Sequence, residues 1–298
     1  MLLAVMLSLA VLGPAAVASA SGAPTPEPPA PARSQAVPVQ AVRVSDANLI
    51  GVSVTNYGSI GSNFITRSPS MEYPLGSGYE HLVLGGLWVG AHSADAAGAF
   101  TGVTVGCYDY FLGTPSGAVS EFSPVSPAVS ARSRLPSSPL FDPAAVSDLD
   151  LIAECDDLTP LITASGQAHR PLRLRVSQRT YAWTAGRLSH VVFFRFVVRA
   201  AGPTLTGLRV GLYTELASGP KSLYANWPPS SSGGPGPWFG KAWLQYDEAL
   251  TLLREHYCAA LPVPAVCNLG FVPYWAGVKL LTPPNPALGQ AVTLASWE

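Results

Sequence analysis

Residues 171–183 read PLRLRVSQRTYAW. Leu172, Leu174 and Val176 fall on one side of a period-two repeat, and Arg173, Arg175, Ser177 and Arg179 fall on the other. That alternation marks a β-strand with one packed face and one face turned to solvent or to acids. The next apolar run, HVVFFRFVVRA (190–200), is apolar on both sides, as a central strand must be. Thr184-Ala185-Gly186-Arg187 supplies the turn between the two, and Gly202-Pro203 ends the second strand. LTGLRVGLYTEL (205–216) then reads as a third strand. Three consecutive strands with short connections predict an antiparallel meander.

The same signals recur on both sides of this block. Upstream, Val42, Val44, Ile50, Val52 and Val54 alternate with polar or small residues. Gly86-Leu87-Trp88-Val89-Gly90 and Thr101–Phe111 are further strand candidates, the latter with Val103, Val105 and Cys107 on one side and Thr104, Gly106 and Tyr108 on the other. Residues 112–146 form a long Ser/Pro excursion, and 226–240 a Gly/Pro/Ser loop between Trp227 and Trp238. Downstream, YDEALTLLREHYCAAL carries a helical spacing, with Asp247 as its cap and Leu250, Leu253 and Tyr257 on one face. Composition agrees with strands and tight loops: charged residues are 12%, about half the usual share, and the chain holds 28 Gly and 29 Pro. The expected fold is all-β, an antiparallel β-sandwich (one large or two fused) with one short helix and long Pro/Ser/Gly loops.

The first twenty residues, MLLAVMLSLAVLGPAAVASA, combine a short apolar run with small residues at Ala18 and Ala20, the pattern of a cleaved export leader. Residues 21–42 are Pro/Ala-rich and read as an extended, disordered linker. The sandwich is expected over 43–298, truncated at its C-terminus. The localisation expected is secreted or cell-surface, with no membrane span once the leader is removed. An even number of cysteines in an exported chain suggests two disulfides. Cys258–Cys267 is the favoured pair, because its loop is short, which leaves Cys107–Cys155; free buried thiols are the alternative.

Four segments taken together carry a resemblance: NYGSIGSNFITRSPSMEYPLGSGYEHLVLGGLWVGA (56–91), HRPLRLRVSQRTYAW (169–183), FFRFVVRAAGPTLTGLRVGLYTE (193–215) and YWAGVKLL (274–281). They resemble the N-terminal region of large secreted bacterial proteins of uncharacterised function, whose relatives often continue into C-terminal Ig-like or secretion-sorting modules. The resemblance implies a fold and an exported setting. It implies no catalytic residues. Relatives tend to carry acids after the third strand, where this chain has Thr214-Glu215-Leu216-Ala217.

The candidate chemistry is sparse. The formal net charge is −1, which argues against nucleic acid. Eight arginines and no acid lie between Leu158 and Thr214, and Arg173, Arg175 and Arg179 form an anion-facing set. Trp227, Trp238, Trp243 and Trp275 are candidate ligand-contact aromatics. The acids of Glu154-Cys155-Asp156-Asp157 read as turn caps rather than a calcium site. Glu80-His81 and His92 are conceivable acid–base groups, with Glu72, Glu80, Asp109 and Glu215 as conceivable carboxylates, but no nucleophile motif accompanies them. No cofactor or metal is expected. The function expected is a structural or adhesive module without catalysis, whose partners are extracellular glycan or protein; the runner-up is a carbohydrate-binding module or an ancillary domain of a secreted glycoside hydrolase.

Overall fold

The structure is a computed structural model that describes residues 4–12, 39–62, 69–107, 120–158, 169–221, 242–250, 252–257 and 274–281. Among these residues the chain is all-β, with one 3-10 turn at Gly186–His190. The first half supplies β1 (Ala4–Leu12), β2 (Val42–Ser45), β3 (Gly51–Thr55), β4 (Ser59–Ile60), β5 (Met71–Glu72), β6 (Tyr79–Asp95), β7 (Gly98–Val105), β8 (Ser123–Pro124) and β9 (Ser130–Arg132). The second half supplies β10 (Leu149–Asp156), β11 (Leu174–Ala182), β12 (Val191–Ala200), β13 (Thr206–Pro220), β14 (Ala242–Asp247), β15 (Leu252–Tyr257) and β16 (Trp275–Leu280).

The strands form two sheets. A nine-stranded sheet runs β14-β15-β16-β1-β12-β11-β10-β8, with β9 on β10. A seven-stranded sheet runs β13-β6-β4-β3-β2, with β5 on β3 and β6, and β7 on β6. All pairings are antiparallel except those of β1, which runs parallel to both β12 and β16. β1 therefore occupies an interior position in the larger sheet, between β12 and β16.

The alternation in 171–183 places β11 as expected. Leu172, Leu174 and Val176 are buried, Arg173 and Arg175 are exposed, and Arg179 is half-buried. β12 pairs with β11 along its length, from Leu174 opposite Ala200 to Ala182 opposite Val192. The expected meander breaks at the third strand. β13 leaves its predecessor and pairs with β6 in the other sheet, with register irregularities near both ends. The expected helix is also replaced: Ala242–Asp247 and Leu252–Tyr257 pair as the antiparallel strands β14 and β15. Asp247 Oδ1 accepts the Leu250 N–H at 3.0 Å and so caps the hairpin turn instead of a helix. Pairing of β15 with β16 on its far side and the Gln245–Arg254 cross-strand bond (2.6 and 3.0 Å) outweigh local helical spacing.

Buried side chains from both sheets form one hydrophobic cluster. Val52, Val54, Leu82, Leu87 and Val89 come from the smaller sheet, and Leu151, Val176, Val192, Phe194 and Phe196 from the larger. In β7 the packed side is that of Thr104, which is fully buried, while Val103 is half exposed. Thr104 Oγ1 donates to Asp157 Oδ2 at 2.9 Å, which replaces the apolar contact that Val103 would have made.

Candidate functional site

The densest polar cluster lies where β5, the start of β6 and the end of β13 meet. Glu72 and Glu80 face each other across the β5–β6 pair. Glu80 is fully buried; it accepts the Ser70 N–H at 3.2 Å and the Met71 N–H at 2.9 Å, and its Oε1 lies 3.2 Å from Lys221 Nζ. Glu72 accepts the Gly78 N–H at 2.6 Å and reaches the same ammonium at 3.3 Å. One partly exposed lysine is thus shared by two buried carboxylates. Burial pushes the Glu80 carboxyl upward, against the opposing pull of Lys221 and the two amides.

His81 follows Glu80 on the strand, so its side chain leaves the opposite face. It is fully buried, with Nδ1 at 2.7 Å from Ser218 Oγ and Nε2 at 3.2 Å from the Tyr73 carbonyl. A carbonyl only accepts, so Nε2 carries the ring hydrogen. Ser218 also donates its backbone N–H to Glu255 Oε1 at 3.1 Å, and its hydroxyl shares a short hydrogen bond with Glu255 Oε2. Glu255 belongs to the nine-stranded sheet and Ser218 to the seven-stranded one, so this chain of groups crosses between sheets. Burial pushes Glu255 up to about 7, with both bonds from Ser218 pulling the other way. Beside it, the Tyr73 hydroxyl lies 2.9 Å from His190 Nδ1, and Tyr274 meets the Tyr73 ring edge-on at 5.0 Å between centroids.

The serine stands between the carboxyl and the imidazole, so the carboxyl does not orient the imidazole as it would in a nucleophilic triad. What the arrangement does chemically is hold one proton between the sheets. The hydroxyl has one hydrogen and faces two acceptors, Glu255 Oε2 and His81 Nδ1. The hydrogen count balances when Glu255 keeps its proton: Glu255 then donates to Ser218, Ser218 to His81, and His81 to Tyr73. Of the conceivable acid–base groups, Glu72 and Glu80 are brought together at Lys221, while His81 points from the other face of β6 to Ser218 and Tyr73. His92 sits toward the far end of β6, exposed and 2.7 Å from Thr101 Oγ1. Glu215 lies on β13 and, after burial, adds to the upward push on the Cys107 thiol. Asp109 falls outside the described residues. Sequence reasoning missed Ser218, Lys221 and Glu255.

The arginine face is redistributed rather than lost. Arg173 has a positive φ of 59° and its side chain lies along Gly202, where an added Cβ would come within 2.5 Å of Arg173 Cδ. Arg175 and Arg179 stay on the ladder, opposite Arg199 and Arg195 respectively. None of these four arginines has an ion pair or side-chain hydrogen bond among the described residues. On the same side of β11 and β12, Tyr181 stands opposite Phe193. Trp183 meets Phe193 edge-on at 5.3 Å and lies 6.4 Å from Tyr181.

The expected Cys107–Cys155 disulfide is not made: both are buried free thiols. Cys155 lies on the core side of β10 in the larger sheet, whereas Cys107 follows β7 in the smaller one and packs against Gly86. Burial pushes both thiols well up, so they behave as small apolar groups. Cys258, Cys267, Trp227 and Trp238 lie outside the described residues, and Trp243 is described only as a backbone position in β14. Trp275 carries the Arg254 guanidinium over its ring at 4.7 Å, which covers that face. In the 154–157 segment, Asp157 spends its carboxylate on the Leu172 and Leu174 amides (both 2.7 Å) and on Thr104. Among the described residues no group of three or more acids, histidines or cysteines is arranged to hold a metal.

No protein-family model matches this chain, and neither a curated protein nor a solved structure does.

Proposed function

We propose that the chain is a secreted or cell-surface structural and adhesive module, folded as a β-sandwich, that turns over no substrate. The observation that carries this reading is how the ionisable groups best placed for acid–base chemistry are spent. Glu80 holds the Ser70 and Met71 amides and Lys221, and Glu255 and His81 are joined through Ser218. Each is buried and ties one backbone segment to another, which is the work of a scaffold. The leader pattern at residues 1–20 supports export. A second reading, a carbohydrate-binding module, is favoured by the aromatic group of Tyr181, Trp183 and Phe193 on the outer side of β11 and β12.

The test is to immobilise the full chain on beads and follow bead retention on glycan-coated and protein-coated surfaces under flow. Release of reducing ends from a panel of soluble polysaccharides is assayed in parallel. Retention without release of ends is the expected outcome. Release that disappears in Glu72→Gln or Glu80→Gln would overturn the proposal.

A further inference from the structure

The outer side of β11 and β12 has an order that its sequence does not show. Cross-strand register sets it in rows: Tyr181 opposite Phe193, Arg179 opposite Arg195, Ser177 opposite Val197, and Arg175 opposite Arg199. Two pairs of like charges face each other directly. Side chains in such positions have Cβ atoms about 4.5–5.5 Å apart, and like charges there destabilise a sheet. The two arginine rows are four residues apart along the strands, about 13 Å at the usual rise per residue. Neighbouring β10 contributes Glu154 opposite Ser177 and Asp156 opposite Arg175, so acids border the arginines on one side. At one end of the grid the aromatic group of Tyr181, Trp183 and Phe193 continues the same surface.

We propose that this face binds a linear anionic polysaccharide lying along β11 and β12, with its carboxylate or sulfate groups on the two arginine rows and a sugar ring against the aromatic group. This deepens the adhesive reading above and rests on it. Three features select this partner. The guanidinium fork matches carboxylate and sulfate geometry, and among the described residues the four guanidinium groups make no ion pair, so an external anion placed between facing arginines offsets their repulsion. The aromatic group offers flat apolar area of the kind a sugar's C–H face covers. The acids of β10 limit the cationic strip to about two strands in width. A narrow polymer fits that strip, whereas a broad anionic membrane or a duplex would also meet Glu154 and Asp156.

The probes are heparin and polygalacturonate, measured by retention of the full chain against salt, with duplex DNA and anionic phospholipid vesicles as comparators. The expected result is retention on at least one polysaccharide in about 0.1 M salt, where exposed charges still act across roughly 10 Å. Each arginine pair replaced by Ala (R175A/R199A or R179A/R195A) should weaken binding about tenfold or more, since charge-assisted contacts are the strong ones. The melting temperature of these variants should stay level or rise, because a repulsive pair has been removed, and this separates lost binding from lost folding. Trp183→Ala should weaken polysaccharide binding and leave any residual DNA retention unchanged.

Retention unaffected by either pair replacement overturns the proposal, as does no retention of the wild-type chain. Vesicle or DNA binding equal to polysaccharide binding, and indifferent to Trp183→Ala, also overturns it. If polysaccharide retention fails while beads still hold to protein-coated surfaces without turnover, the adhesive reading stands and only its partner is lost.

Discussion

Glu255 makes the stability of this fold depend on pH in a direction opposite to that of an ordinary paired carboxylate. Its carboxyl is fully buried, accepts the Ser218 N–H and shares a hydrogen bond with the Ser218 hydroxyl, and is pushed from 4.5 to about 7. Between those values the folded chain keeps a proton that the unfolded chain has released. Stability tracks the difference in bound protons, so it is full below pH 4.5, falls as pH rises toward 7, and levels off above that. At about 1.4 kcal/mol per pH unit, the window is worth about 3 kcal/mol. That is a large part of the roughly 5–15 kcal/mol that holds a typical domain together. Other groups act in the same sense. Burial raises Glu80 and Asp157; for His169 burial lowers the value, but the bond and charge of Glu121 outweigh it and the net shift is upward. A pH profile of the wild type alone therefore mixes several contributions.

Glu255→Gln isolates the one of interest. A Gln side chain keeps an oxygen for the Ser218 N–H and offers an N–H to the Ser218 hydroxyl, which is the bonding pattern of the protonated acid. Urea denaturation of wild type and variant at matched pH from 4.5 to 8 reads the difference directly. The two should be close in stability at pH 4.5. By pH 8 the balance should have moved about 3 kcal/mol toward the variant, because the wild type then folds with a buried carboxylate and the variant does not. A difference that stays constant across this range would refute the reasoning, since it would mean that Glu255 titrates alike in the folded and unfolded chains.

Two further outcomes are expected. Gly86→Ala would bring a Cβ within 2.7 Å of Cys107 Sγ and 2.8 Å of the Cys107 nitrogen, backbone that Trp88 also holds through its ring N–H at 2.6 Å. Neither side yields cheaply, so thermal or urea unfolding should show a loss of about 1–3 kcal/mol. In hydrogen exchange, amides of Val191–Arg199 should be better protected in the full chain than in one that begins at Ser21, because β1 lies along the whole of that stretch; equal protection in both would refute the pairing.

The sequence made one kind of information legible and hid another. β11 is visible because its alternation is imposed by a single sheet with one packed face, a local property of thirteen residues. β12 is visible because it is apolar on both sides. The destination of β13 is not, since LTGLRVGLYTEL suits either sheet and only its pairing with β6 selects one. The helix expected near Leu250 fails for a related reason. Asp247 does accept the N–H three residues on, as a cap would, but the next residues must also offer backbone to β16. The candidate site follows the same division. Glu72, Glu80 and His81 lie close in sequence, Glu80 and His81 as acid–base candidates and Glu72 with Glu80 among the carboxylates. Ser218 and Glu255 come from different sheets, and nothing local announces that they meet. Arg175 and Arg179 were legible on their strand, but Arg195 and Arg199 sit in a run that reads as buried. They join the first two only through the register of β11 and β12.

The apolar run at the start of the chain belongs to both accounts at once. Nine residues without a charge suit the apolar core of an export leader, and the same nine residues form a strand. In the structure Ala4–Leu12 lies between β12 and β16, parallel to each, so those two strands are parallel to one another across it. Cleavage after Ala20 would remove that strand and leave two facing rows of unpaired backbone, about two strand spacings or roughly 9.6 Å apart. Such rows are strong templates for pairing, and proteins rarely leave them open. The β14–β15–β16 unit would then have to close onto β12 or accept a strand from elsewhere. Glu255 sits in that unit and reaches Ser218 in the other sheet, so the proton-holding link is one of the contacts that keeps the unit in place once β1 is gone. Loss of residues 1–20 and a rise in pH would therefore act on the same boundary of the nine-stranded sheet, and a chain that begins at Ser21 should be the more sensitive of the two to the ionisation of Glu255.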